Sequence, residues 1–312
     1  MAGVELCEPI QLYNILNQAR KASRLAERNY LCLIDARTKR EYDESHLITA
    51  IRMKQDPSGS YIVPPSANLE YVRHCVVYDG TTNLLVVGDE MDDAAQEADE
   101  ERNARFGCAM LCAMLLQRYT RFPVQVLRGG YECFTASYHF LQTQKIFWMP
   151  RELEDVLPYP VEIVPGKLYM GNYIQACHQQ IQKDLHIQAH VNVSEEVDTF
   201  FPDDSDQVLH ISVPDSPEAD MSPFFSDICH FIDSHTSHGA ALVFSTLGIS
   251  RCSTVVIAYL MHSCRLYLKN AWSYLQRCKS NIRPNRGFVQ QLSEWEARLY
   301  MATITNISEP GY

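Results

Sequence analysis

Residues 241–261, ALVFSTLGISRCSTVVIAYLM, constrain this chain more than any other segment. An apolar run from Ala241 to Phe244 enters a tight turn of Ser245, Thr246, Leu247, Gly248, Ile249, Ser250 and Arg251, and an apolar helical pattern follows. A buried strand feeding a helix through one short turn implies an α/β layer fold with a mostly parallel sheet. Such a turn aims successive backbone N–H groups and a helix N-terminus at one spot, here with Arg251 beside it. That is the geometry of a phosphate cradle.

The 312 residues suffice for two ordinary domains. No stretch approaches the ~20 apolar residues of a membrane span, and the N-terminus lacks the basic-then-apolar pattern of a secretory signal. A formal charge of -11 argues against nucleic acid as a partner. The run Asp89–Glu101 is dense in carboxylates, so the segment at about 89–102 is expected to be a flexible solvated loop, with an acidic docking segment as the alternative. The 11 cysteines are odd in number and never spaced as CxxC. Free thiols in a reducing compartment are expected, with no metal site and no cofactor.

Two strand–helix patterns flank a proline-rich stretch at 148–165. In the first, residues 10–28 carry Ile10, Leu12, Ile15, Leu16 and Leu25 at helical spacing. Tyr30–Asp35, Cys75–Tyr78 and Val124–Leu127 read as strands, with a helix at Asn103–Arg118. The second offers strands at Val161–Tyr169, Ala189–Val193, Val208–Val213 and Ala241–Phe244. Helices are expected near 175–186 and at Phe224–Ser234, and three more follow the cradle. The expected organisation is a first domain at 1–147, a linker at 148–160, a second domain at 161–302 and a tail at 303–312.

The second domain resembles the dual-specificity phosphatase family. The likeness rests on Ile163–Asn172, His190–Ser194, the cradle, Ala258–Met261, Pro284–Phe288 and Gln291-Leu292. In that family the turn reads His-Cys-x-x-Gly-x-x-Arg and the cysteine attacks phosphorus as a thiolate. The resemblance places Arg251 as the phosphate clamp, Ser250 as the hydroxyl that stabilises the departing thiolate, and Asp215 as the general acid. It also places Phe244 at the histidine position and Ser245 at the cysteine position. An alkanol ionises far less readily than a thiol, and no neighbour in the sequence resembles a base that would activate it. Cys252, in the first helical turn, is not expected to substitute.

A neutral Ser245 would relieve a bound phosphate of repulsion from a thiolate, about 4 kcal/mol per unit charge at ~4 Å and an effective dielectric near 20. The turn Ser245–Arg251 is therefore the expected phosphate-binding segment. The alternative is that the loop persists because the fold needs it, with Arg251 bonded internally or to solvent anion.

The first domain resembles a rhodanese module through Leu33–Arg37, Glu41-Tyr42, His46–Ile51 and Val126–Phe134. Active rhodaneses open a Cys-x-x-Gly-x-Arg loop after a strand like Cys75–Tyr78. Here Asp79-Gly80-Thr81-Thr82 stands in that place, so sulphur transfer is not expected, and Asp35 and Arg37 are expected to form a structural ion pair. A rhodanese module ahead of a dual-specificity domain is the arrangement of the MAP-kinase phosphatases. The degraded cradle makes the chain resemble their catalytically inactive, pseudophosphatase members.

That resemblance implies a binding and regulatory protein whose partners are signalling proteins, among them phosphoproteins or an active phosphatase. The alternatives are a weakly active phosphatase and a scaffold that does not use the loop. Kinase docking in those enzymes uses an arginine cluster, of which Ala50–Asp56 offers only Arg52 and Lys54. A cytoplasmic location is the expectation. Arg20, Lys21, Arg24 and Arg28 on an amphipathic helix suggest mitochondrial import as the alternative, and Glu5, Glu8 and Glu27 count against it.

Overall fold

The apolar runs of the first half become one parallel sheet. Its elements are β1 (Val4–Cys7), α1 (Pro9–Leu16), β2 (Leu31–Asp35), α2 (Lys39–Glu44), β3 (Ile51–Arg52), β4 (His74–Tyr78), α3 (Cys108–Leu116), β5 (Val124–Leu127), α4 (Gly130–Ser137) and α5 (Arg151–Glu154). The strand order is β1-β5-β4-β2-β3. Leu33, Ile34, Val76 and Val77 are all but inaccessible, as expected where a parallel sheet is covered on both faces. The computed structural model describes residues 3–308 apart from 21, 65–68, 83–106, 148, 150, 202–205 and 238. The acidic segment at 89–102 lies outside the described residues. The chain divides into two compact units, Met1–Leu157 and Pro158–Tyr312.

The helix expected over 10–28 ends at Leu16. Asn17 and Gln18 turn their amides back onto the Tyr13 and Asn14 carbonyls at 2.8 and 3.0 Å, taking acceptors that a continuing helix would have satisfied. Ala19 and Ser23 then form a β-bridge. Arg24 is buried, pairs with Glu27 at 2.9 Å and lies 4.2 Å over the Tyr30 ring. Arg20, Arg24 and Arg28 therefore do not share the face of one amphipathic helix, and Lys21 lies outside the described residues.

Asp35 and Arg37 form the expected pair, at 2.6 Å, with Tyr78 donating to the same carboxylate at 2.8 Å. The Arg37 guanidinium also rests 3.7 Å from the Tyr131 ring. Where an active rhodanese would carry its cysteine, the Asp79 carboxylate accepts from the Ala109 N–H at 3.1 Å and from the Thr82 hydroxyl at 2.6 Å. The negative charge thus sits at the N-terminus of α3, where the helix dipole favours it. Part of the stretch expected as linker folds as α5, and the residues up to Leu157 group with the first unit.

The second unit comprises β6 (Val161–Val164), β7 (Leu168–Asn172), α6 (Tyr173–Ala176), α7 (Gln179–Asp184), β8 (Ile187–Asn192), β9 (Val208–His210), α8 (Phe225–His235), β10 (Ala240–Ser245), α9 (Arg251–Ser263), α10 (Leu268–Cys278) and α11 (Arg286–Tyr300). The sheet runs β6-β7-β10-β8-β9, antiparallel only between β6 and β7. The single strand expected at 161–169 is a tight antiparallel pair, and the helix expected near 175–186 is two short ones.

Helix α9 is buried at every position from Arg251 to Met261, the signature of a helix enclosed on all sides. Each large aliphatic side chain there contributes about 1.5–3 kcal/mol of burial. Two tethers fix it to α11 and its end: the Trp295 indole donates to the Ala258 carbonyl at 3.3 Å and the Tyr300 hydroxyl to that of Met261 at 2.9 Å.

The domain does not stop at 302. The fully buried Glu296 carboxylate accepts from the Leu268 N–H at 2.8 Å, the Ile304 and Thr305 N–H groups at 3.0 and 2.8 Å, and the Thr305 hydroxyl at 2.8 Å. Thr305 is itself buried. In sequence this segment resembles a tail, because the groups that hold it belong to a helix already passed.

Candidate functional site

The cradle sits at the carboxyl end of β10, the middle strand of the second sheet. β10 pairs with β7 through Asn172 and Ser245 and with β8 through Asn192 and Phe244. The turn then lies against β7: Gly248 has φ of +69°, and a Cβ there would stand 2.7 Å from the Gly171 carbonyl oxygen. Only glycine meets both demands. Among the described residues, the backbone N–H groups of Thr246 to Ser250 have no protein acceptor. They remain available to an anion, as does the N-terminus of α9.

Arg251 is 6 % exposed. One terminal nitrogen donates to the Val213 carbonyl at 2.9 Å and the other to the Thr246 hydroxyl at 2.8 Å. Its Nε is buried with no hydrogen-bond partner. A guanidinium carries five donors, so part of the fork is committed to holding the turn and part is open. The bond to Val213 also fixes the segment that carries Asp215.

Asp215 lies at the cradle. Its Oδ1 accepts from the Ser250 hydroxyl at 2.7 Å and from the Asn285 side chain at 2.9 Å. The Ser250 hydroxyl, expected to serve a departing nucleophile, is here turned to Asp215 instead. Asn285 caps α11 by accepting from the Phe288 N–H at 3.0 Å. The next turn comes in close: a Cβ on Gly287 would stand 2.0 Å from the Pro217 carbonyl oxygen. The start of α11 thereby braces the Asp215 segment. The run Pro284–Phe288 was visible in the sequence, but nothing in it announced a contact with Asp215.

Ser245 is buried at the floor, and its hydroxyl meets the Cys252 thiol. Burial pushes that thiol up, against the hydrogen bond with Ser245 and the charge of Lys279. Cys252 is therefore a protonated core side chain. Phe244 is inaccessible to solvent and lies edge-on to the His190 ring at 5.2 Å. Leu247, by contrast, is 72 % exposed at the lip.

Glu196 was not anticipated. It stands 50 residues before Thr246 and accepts from the Thr246 hydroxyl at 2.8 Å. Burial alone would push its carboxyl up, but Thr246, the loop's own donors and the Arg251 charge together hold it below the usual range. Thr246 thus links Glu196 to Arg251. These groups line a cleft of about 970 Å³ together with Glu195, Trp272, Gln276 and the segment Ile282–Arg286.

The model of the dual-specificity phosphatase catalytic domain matches residues 168–298, and that of the rhodanese-like domain matches 17–137. Dual specificity protein phosphatase Mpk3 of Drosophila melanogaster is 34% identical over 45% of this chain and 34% of its own length. Dual specificity protein phosphatase 1-A of Xenopus laevis is 29% identical over 88% of this chain and 80% of its own length. The chain therefore spans about a third of the fly relative and four-fifths of the frog one. A solved structure, human tyrosine phosphatase-like serine/threonine/tyrosine-interacting protein, shares 30% identity over 45% of this chain and 97% of its own, with a TM-score of 0.40. The two family models, which fall on the two sheets described above, show that the chain carries a rhodanese-like domain followed by a dual-specificity phosphatase domain.

Proposed function

We propose that the second domain holds a phosphorylated side chain without hydrolysing it, and that the protein acts in phosphorylation signalling as a binding and regulatory partner. The observation that carries this reading is the Arg251 Nε, buried and without a partner beside unpaired N–H groups and above a floor that bears a hydroxyl. A buried donor left unmade costs about 1–3 kcal/mol, and an anion in the cleft would recover it. The Ser245 hydroxyl faces a thiol rather than a base, so nothing there supports its activation as a nucleophile. Phosphoproteins and active phosphatases are the partners this reading favours.

The curated relatives bear phosphatase names, which favours a second reading, a phosphatase of low activity. Two measurements on the purified chain separate the readings. Phosphate-ester turnover is expected to be no higher than that of Ser245→Ala. A phosphotyrosine peptide is expected to bind, and Arg251→Ala to weaken it roughly ten- to a hundredfold, the range of a lost charge-assisted hydrogen bond. Turnover that Ser245→Ala abolishes would make the domain an enzyme. Equal binding by wild type and a folded Arg251→Ala would remove the phosphate-receptor role.

A further inference from the structure

We infer that the cleft reads the charges flanking the phosphorylated residue: it fits a protein segment with a basic residue at the Glu195–Glu196 end and an acidic residue at the Arg283–Arg286 end. The inference rests on the phosphate-receptor reading and adds the partner's chemistry to it.

The cradle is gripped at its two ends by walls of opposite sign. At the first end Thr246 donates to Glu196, and Glu195 precedes it on the segment after β8. At the other end the Ile249 carbonyl accepts from the Arg283 N–H at 3.0 Å, and Arg286 opens α11. All four residues line the same cleft. Glu195, Arg283 and Arg286 are exposed, and none of the three belongs to an ion pair among the described residues. Arg286 lends one terminal nitrogen to the Ile307 carbonyl at 3.4 Å, and the charges of all three remain unneutralised by any ion pair among the described residues and available to a ligand. The buried Arg251 Nε supplies the independent sign that an anion belongs between the two walls.

A phosphate dianion in the cradle would meet Arg251, but it would also enter a cleft that holds Glu195, Glu196 and Asp215. A partner that brings its own cation to the Glu195–Glu196 wall offsets that opposition, and like charges there raise it. An anionic lipid surface does the reverse, setting more negative charge against the same wall of a chain with formal charge -11. A phosphorylated protein segment is the ligand that suits both walls.

The test uses the full chain at low ionic strength and fluorescence anisotropy. Two phosphotyrosine peptides of identical composition are compared, one with lysines before the phosphotyrosine and aspartates after, the other reversed. One isomer is expected to bind about three- to tenfold tighter than the other, as two exposed charge pairs allow. The exchange Glu195→Lys with Arg283→Glu is expected to invert the preference, and Glu195→Gln with Arg283→Gln to erase it. Equal affinities for the isomers, or a preference that the charge exchange leaves unchanged, overturn the inference. If binding in that case still depends on Arg251, the receptor reading stands alone. Arg251-independent binding, or no phosphopeptide binding at all, overturns both. Tighter binding to phosphoinositide vesicles than to either peptide overturns the protein-segment assignment in favour of a lipid headgroup.

Discussion

Phe244→His tests whether the pocket behind the cradle still accepts the histidine that the family places there. The phenyl ring is fully buried, edge-on to His190 at 5.2 Å and tilted towards Tyr173 at 6.4 Å. Neither neighbour offers a spare polar group. The His190 ring nitrogens already meet Asp198 and, at 2.8 Å, the Gln182 side-chain oxygen, while the Tyr173 hydroxyl donates to the Val197 carbonyl at 3.1 Å. An imidazole would therefore bury an unpaired N–H, at about 1–3 kcal/mol. The smaller, more polar ring also forfeits roughly 1 kcal/mol of apolar burial.

The expected loss is about 2–4 kcal/mol, or a Tm lowered by roughly 5–15 °C in a unit of this size. Urea unfolding followed by tryptophan fluorescence would measure it, since Trp272 and Trp295 both lie in the second unit. Phe244→Leu, which removes the ring without adding a polar atom, is expected to cost about half as much. A histidine variant as stable as wild type would refute the reasoning, because the imidazole would then have found a partner. Combined with Ser245→Cys, the same change is expected to restore phosphate-ester hydrolysis through Asp215 and Arg251, provided the assay is run well below the lowered Tm. A folded but inactive double variant would show that the cradle has drifted from its catalytic shape.

Gly248→Ala forces a left-handed residue and a Cβ within 2.7 Å of the Gly171 oxygen. A loss of at least 1–2 kcal/mol and tenfold weaker phosphopeptide binding are expected by denaturation and titration, and unchanged affinity would show that the turn's shape is not what binds. Burial alone would raise the Asp198 pKa, but His190 and the N–H groups of Phe200 and Phe201 hold it below its ordinary 3.8. A carboxyl depressed on folding adds stability above its unfolded pKa and loses it as the pH falls through the folded value. Stability is therefore expected to drop below about pH 4, and Asp198→Asn to flatten that part of a pH–stability profile. An unchanged slope would remove Asp198 as its source.

The strand, turn and helix around Arg251 were legible because they are local: apolar period, a glycine and a helix start lie within one short stretch. Asp215 was legible through its motif. Glu196 was not, since a hydrogen bond that spans 50 residues leaves no mark in the spacing of either partner. The same holds for β1, a four-residue edge strand whose pairing with Val124–Leu127 closes over most of the first unit. The overlong helix at 10–28 failed for a different reason. Apolar spacing marked side chains that are buried or half-buried, while Asn17 and Gln18, themselves buried, decided where the backbone stops. Periodicity reports a face and says little about an end.

Glu296 sets a limit on where the second domain can be cut. A chain ended after Tyr300 would lose the Ile304 and Thr305 amides and the Thr305 hydroxyl, leaving the carboxylate only the Leu268 N–H. A carboxylate stripped of its donors while still enclosed costs about 3 kcal/mol or more, a large share of the margin by which a domain stays folded. Fragments, fusions and proteolytic products of this domain should therefore be judged by whether they run through Thr305. The segment through Thr305 is the counterpart of a charge in the core.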